Sequence, residues 1–171
     1  MLLIFEMDLL LALLEDGVLA AVASVGFGSI SNVPYRAFAG CAILSSAGHM
    51  TRYMLMNVLG IHILGAAFVA ALLIGLLSVP VAKFWHVPPE TYSFPALLPM
   101  IPGMYAYRTV ESLIKCVANP DESEFVHYSY LFDYNAVMCV MIVAVMVIGV
   151  VMPVVMFGKV SYWPVKKDKI K

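Results

Sequence analysis

Charge is scarce in this 171-residue chain: 12% of its residues are charged and 63% are hydrophobic, with a mean hydropathy of +0.93. Soluble domains carry about a quarter charged residues, so the composition excludes an ordinary soluble fold and indicates an integral membrane protein. The net charge of −1 argues against a nucleic-acid partner. Cysteine is rare as well. Cys41, Cys116 and Cys139 all lie in apolar segments without C-x-x-C spacing, which reads as three buried small hydrophobes rather than metal ligands or a disulfide frame. No motif for hydrolysis, metal binding or nucleotide binding is present, so neither an enzyme nor a cofactor is expected. The first basic residue is Arg36, and four acids (Glu6, Asp8, Glu15, Asp16) precede it. A cleaved signal peptide needs a basic start, so none is expected here. Heptads, low-complexity tracts and visible internal repeats are also missing.

What is there is long apolar sequence. A membrane-spanning helix needs about 20 mostly apolar residues, and five stretches approach or reach that: 3–29, 35–56, 61–82, 94–117 and 134–157. The expected fold class is all-α, a polytopic membrane helix bundle forming one transmembrane domain over residues 1–171. The second stretch is the weakest, because His49 and Arg52 lower its hydropathy. A four-span reading would make it a re-entrant or surface segment. Lys and Arg favour the cytoplasmic side. The basic tail, 158–171, with its "KKDKIK", therefore places the C-terminus in the cytoplasm. Counting back five spans puts Lys83 and Arg36 inside, and the acidic loop Asn119–Phe125 outside with Glu6 and Asp8. Four spans would leave the N-terminus inside with no basic residue.

Small residues mark the packing faces. Asp16, Ala20, Ser24 and Gly28 recur every four residues in the first stretch, and Ala67, Ala71 and Gly75 do the same in the third. Such faces let helix backbones approach closely in lipid. On the second helix, Cys41, Ser45, Gly48, His49 and Arg52 share one face. A charge at membrane depth costs at least ~2.5–3.5 kcal/mol, so this stripe reads as an anion site in the bundle interior. Arg would grip a carboxylate with two donors, and His titrates near neutral pH. The competing reading has Arg52 snorkel to the headgroups. Asp16 reads as a proton or cation relay, as a structural partner of Arg52 or as polar helix glue. His62, His86 and His127 fall near expected loops and read as surface residues; Asn135 reads as helix glue.

The segment "SFPALLPMIPGMYAYRTVESLIK" (93–115) holds Pro95, Pro99, Pro102 and Gly103. So many helix breakers predict one broken helix near Pro99–Gly103, which at membrane depth is tolerated only beside a cavity or inside protein. Pro102 suits the first turn of a second half-helix. Free N–H groups at Gly103 and Met104 would then join Arg52 and His49 in holding a carboxylate, with Asp16 or His49 changing protonation. The alternative is a short span that simply starts at Pro102. Beyond the break, Glu111 and Lys115 have the favoured i, i+4 order.

The stretches "LLEDGVLAA", "FGSISNVPYRAF", "GHMTRYMLM" and "LLPMIPGMYAY", in this order, resemble the threonine/serine exporter family, in its small-subunit, carboxyl-half form. The features are N-V-P-x-R (Asn32, Pro34, Arg36), G-H-x-x-R (Gly48, His49, Arg52) and P-x-x-P-G with a following Tyr (Pro99, Pro102, Gly103, Tyr107). The resemblance covers essentially the full length. It implies export across a bacterial inner membrane, acting with a larger partner subunit that supplies the other membrane half. Implied substrates are threonine and serine, or for some split pairs a dicarboxylate such as succinate. The competing class is a non-transporting scaffold subunit that stabilises a partner.

Overall fold

The structure, a computed structural model, describes residues 2–85, 87–118 and 121–158, with side chains from residue 7 onward. His86, Asn119, Pro120 and the basic tail beyond Gly158 lie outside the described residues. Among the described residues every regular element is helical: α1 (Leu2–Ile30), α2 (Phe38–Asn57), α3 (Ile63–Trp85), α4 (Glu90–Leu97), α5 (Gly103–Ala118) and α6 (Glu122–Gly158), with single 3₁₀ turns at Tyr35–Ala37 and Leu98–Met100. The fold is an all-α membrane helix bundle. Three helices are long and apolar enough to cross a bilayer: Met7–Ile30, Ile63–Trp85 and Glu122–Phe157. α2 is long enough but less apolar. It sits against α1, α3 and α4, burying Gly40, Cys41, Leu44, Ser45, Gly48 and His49.

Contacts fix the helix directions. Ser24 meets Cys41 and Ser46 meets Gly17, so α1 and α2 are antiparallel. α2 and α3 are also antiparallel, since Gly40 lies beside Val81 and Gly48 beside Ile74. Gly149 lies on Phe68 and Gly75 on Val150, so α3 and α6 run the same way. The close approach needs both glycines: a Cβ on either would strike backbone of the other helix. Ala67, Ala70, Ala71 and Ile74 of α3 interlock there with Ile142, Met146 and Val150 of α6, and with Leu44, Tyr92 and Met100 they form the core.

Local chemistry explains the boundaries. α1 ends where Val33 N–H reaches the Gly28 carbonyl (3.0 Å) and Asn32 N–H the Ser29 carbonyl (3.3 Å). That is the 6→1 and 5→2 pairing of a Schellman end, and Asn32 holds its left-handed position at φ +59. Pro34 then prevents continuation. α4 starts at Glu90, ahead of the expected 94, because Pro89 accepts the amides of Tyr92 (3.1 Å) and Ser93 (3.0 Å). Pro95 inside α4 leaves the Thr91 carbonyl without its helical donor, and the Cys41 thiol lies 3.6 Å from it. α6 begins at Glu122, well before the expected 134. The Asp121 carboxylate takes the Ser123 amide (3.4 Å) and hydroxyl (3.1 Å), and Glu122 and Glu124 suit the first turn. Hydropathy alone could not find that start, because the cap is polar.

Candidate functional site

Hydroxyl groups stitch α1 to α2. Ser24 Oγ donates to the Cys41 carbonyl (3.1 Å), Ser45 Oγ to Ala20 (3.1 Å) and Ser46 Oγ to Gly17 (2.6 Å). In lipid no water competes for these donors, and the small residues at Gly17, Ala20 and Ser24 let the backbones come close enough. The next step along the seam is charged. His49 Nδ1 lies 3.3 Å from Asp16 Oδ2 and 3.4 Å from Oδ1, a long hydrogen bond at the edge of ion-pair distance. The His49 side chain is 9% exposed and that of Asp16 33%. Among the described residues the second ring nitrogen, Nε2, is buried without a hydrogen-bond partner. It is a bare acceptor if the neutral ring donates through Nδ1, and a donor if the ring is charged. Glu15, one residue away, is exposed.

One turn further along α2, Arg52 Nη1 donates to the Met100 carbonyl (3.1 Å). That carbonyl is available because of the break. Ile101 leaves the helical conformation (ψ 133), Pro102 has no N–H, and the Gly103 amide turns back to Ile101 O at 2.8 Å. The 3₁₀ turn at Leu98–Met100 therefore ends with an unsatisfied carbonyl, and a guanidinium at a helix C-terminus is favoured both as donor and as charge. Gly48 makes room, since a Cβ there would lie 2.5 Å from Ile74 and 3.5 Å from Met100 Sδ.

The structure thus brings Asp16, His49, Arg52 and the Met100 carbonyl into one cluster. Pro102 is buried, and its carbonyl accepts the amides of Tyr105 (3.1 Å) and Ala106 (3.2 Å), so it caps α5. Gly103 has open space beside it, with its amide already engaged by Ile101. Met104 and Tyr107 are each 62% exposed on α5. Asn32 and Pro34 form the α1–α2 turn. Arg36 is exposed at the far end of α2 against its neighbour Tyr35, with its guanidinium carbon 5.7 Å from the ring centre. The Met100 carbonyl is the group that residue types could not reveal, because every residue carries one. Its indirect signal is the Pro99–Pro102 spacing, which strips the local helix of donors.

The family model of the threonine/serine exporter ThrE matches residues 16–156, from the Asp16 carboxylate through the seam, the break and most of α6. No solved structure matches the chain. With a membrane helix bundle, a polar cluster between its helices and a family match over most of its length, this chain belongs to the threonine/serine exporter family.

Proposed function

We propose that the chain is a membrane subunit of a secondary exporter for small carboxylate-bearing metabolites. Threonine and serine, or a dicarboxylate such as succinate, are the substrates in this reading. The chain works with a larger partner subunit in a bacterial inner membrane, its C-terminus cytoplasmic. One observation carries it: an intramembrane arginine on the open end of a broken helix, next to a histidine–carboxylate pair. Arg52 uses one of its five N–H donors on Met100, which leaves donors for a bidentate grip on a carboxylate. The open space at Gly103 lies just past the carbonyl that Arg52 holds. His49 Nε2, buried and without a partner among the described residues, gives the pair a place to take or release a proton during the cycle. The alternating directions of the helices support five passes, and the basic tail supports an N-terminus outside. An odd number implies that a second half runs inverted, with substrate near the interface of the halves. Export by this chain reconstituted as a monomer would overturn the need for a partner. Cysteine labelling that finds both chain ends on one side would overturn the five-pass topology.

Arg52→Lys and Arg52→Gln test the site, with export measured at equal membrane protein level. Lys keeps the charge and loses the planar two-donor fork, so both variants should lose export. A second reading, a scaffold subunit that does not transport, is favoured by the same pairings, because Asp16 with His49 and Arg52 with Met100 already satisfy one another. It expects both variants to export normally whenever the protein is present.

A further inference from the structure

α5 is amphipathic in the reverse sense to a soluble helix. Its apolar side chains face outward: Val110 is 57% exposed, Ile114 62% and Val117 80%. Its small and polar residues face α6, where Ser112 is 5% exposed and Cys116 8%. Arg108, Glu111 and Lys115 line one rim of that inner face. Lipid or protein suits the back of such a helix, and water or a polar ligand suits its front. The front borders an open cleft of about 330 Å³ between α5 and the N-terminal part of α6, at the lower end of the range for ligand pockets.

The chemistry of this cleft is specific. Lys115 Nζ is held by Glu111 at 2.7 Å, whereas Arg108 has no ion pair among the described residues. Opposite, Asn135 is 4% exposed and spends one amide proton on the Leu131 carbonyl (2.6 Å), which leaves its other proton and its oxygen for the cleft. Ser112 brings a hydroxyl that makes no hydrogen bond among the described residues. Arg108 stands five residues into α5, about 8 Å along the axis from the break at 1.5 Å per residue. The cleft is therefore distinct from the Asp16–His49–Arg52 cluster and lies on the far side of the break from it.

The geometry points to a second carboxylate-binding site in the α5–α6 cleft, anchored by Arg108 and flanked by Ser112 and Asn135, for a small hydroxy amino acid or dicarboxylate. Its ligand class rests on the exporter reading above. Arg108 takes the carboxylate in a forked pair, and Ser112 with Asn135 takes the remaining polar group. The Glu111–Lys115 pair offers a carboxylate to an ammonium or an ammonium to a second carboxylate. In the proposed topology this is the outer side, so the site receives substrate between Arg52 and release.

The test is equilibrium binding of L-threonine, L-serine and succinate to the purified full-length protein in lipid nanodiscs. It compares wild type with Arg108→Gln, Ser112→Met and the distant control Arg36→Gln. Arg108→Gln removes the anchor, and Ser112→Met fills the cleft while leaving the charge in place. Each should weaken at least one ligand by about tenfold or more, the scale of a lost hydrogen bond to a charged group, with the control unchanged. Wild-type affinities in both variants, or no binding of any of the three probes to wild type, would overturn the site. Arg52→Gln in the same assay separates the two claims. Binding lost only with Arg52 removes the cleft and leaves the exporter reading intact. Binding lost with Arg108, together with normal export in both Arg52 variants, keeps the cleft and removes the Arg52 site.

Discussion

Gly75→Ala should destabilise the bundle by about 2–3 kcal/mol, toward the upper end of the range for overpacked cores. An added Cβ would lie 2.5 Å from the Val150 carbonyl oxygen, 3.1 Å from Val150 Cα and 3.1 Å from Pro153 Cγ. A relaxed carbon–oxygen contact is about 3.3–3.6 Å, so α6 must retreat by about 1 Å. The nearest obstacles are backbone atoms, with no rotamer to escape into. A gap of that size forfeits about a quarter to a half of each neighbouring contact, and the side chains that lose them, Ile74, Met146 and Val150, are core residues. The assay is thermal unfolding of the purified protein in detergent. Gly26→Ala is the control: no atom lies within 4 Å of its would-be Cβ, and Ala is about 0.5–1 kcal/mol better than Gly inside a helix. Gly75→Ala should melt well below wild type, and Gly26→Ala at or above it. Equal midpoints for the two variants would refute the close α3–α6 approach on which the reasoning rests.

Two further outcomes follow from the same geometry. Asn32 sits at φ +59, so Asn32→Gly should leave the melting midpoint nearly unchanged, whereas Asn32→Val should cost about 1–2 kcal/mol from left-handed strain alone; a Val variant as stable as wild type would refute the cap. Asp16→Asn keeps the shape of the seam but removes the carboxylate facing His49, so export should fall about tenfold, the scale of a lost hydrogen bond to a charged group; wild-type export at equal membrane protein level would remove the pair from coupling.

Much of the frame was legible in the residues. The small faces at Ala20, Ser24 and Gly28, and at Ala67, Ala71 and Gly75, are the buried seams, because close packing in lipid leaves a direct composition signal. The break near Pro99–Gly103 was legible because proline removes donors wherever it stands. Asp16 reads as a relay, as a partner of Arg52 or as helix glue, and its carboxylate lies beside His49. Both cations sit on the same α2 face one turn apart, so spacing could not choose between them. The amides of Gly103 and Met104 are expected to join Arg52 around a carboxylate; the Gly103 amide instead turns back to the Ile101 carbonyl, and Arg52 donates to the Met100 carbonyl. A break exposes donors on one side and acceptors on the other, and sequence does not say which side a neighbouring helix will reach. The amphipathic turn of α5 was hidden for a related reason: its polar rim reads as an ion-paired helix end until α6 is placed against it.

α6 is continuous for 37 residues, about 55 Å at 1.5 Å per residue, and it belongs to two assemblies at once. Its C-terminal part is pinned to α3 where Gly149 meets Phe68 and Gly75 meets Val150; its N-terminal part walls the cleft at Asn135. Mechanically that is a lever with a tight fulcrum. Gly149 and Asn135 are fourteen residues apart, about 21 Å of rigid rod, so a tilt of about 5° at the glycine contact sweeps the cleft wall by about 2 Å. An ångström-scale movement of the cleft wall by this route also shifts Ile142, seven residues from Gly149, by about 1 Å against the α3 core, with no helix unwound and no loop rearranged.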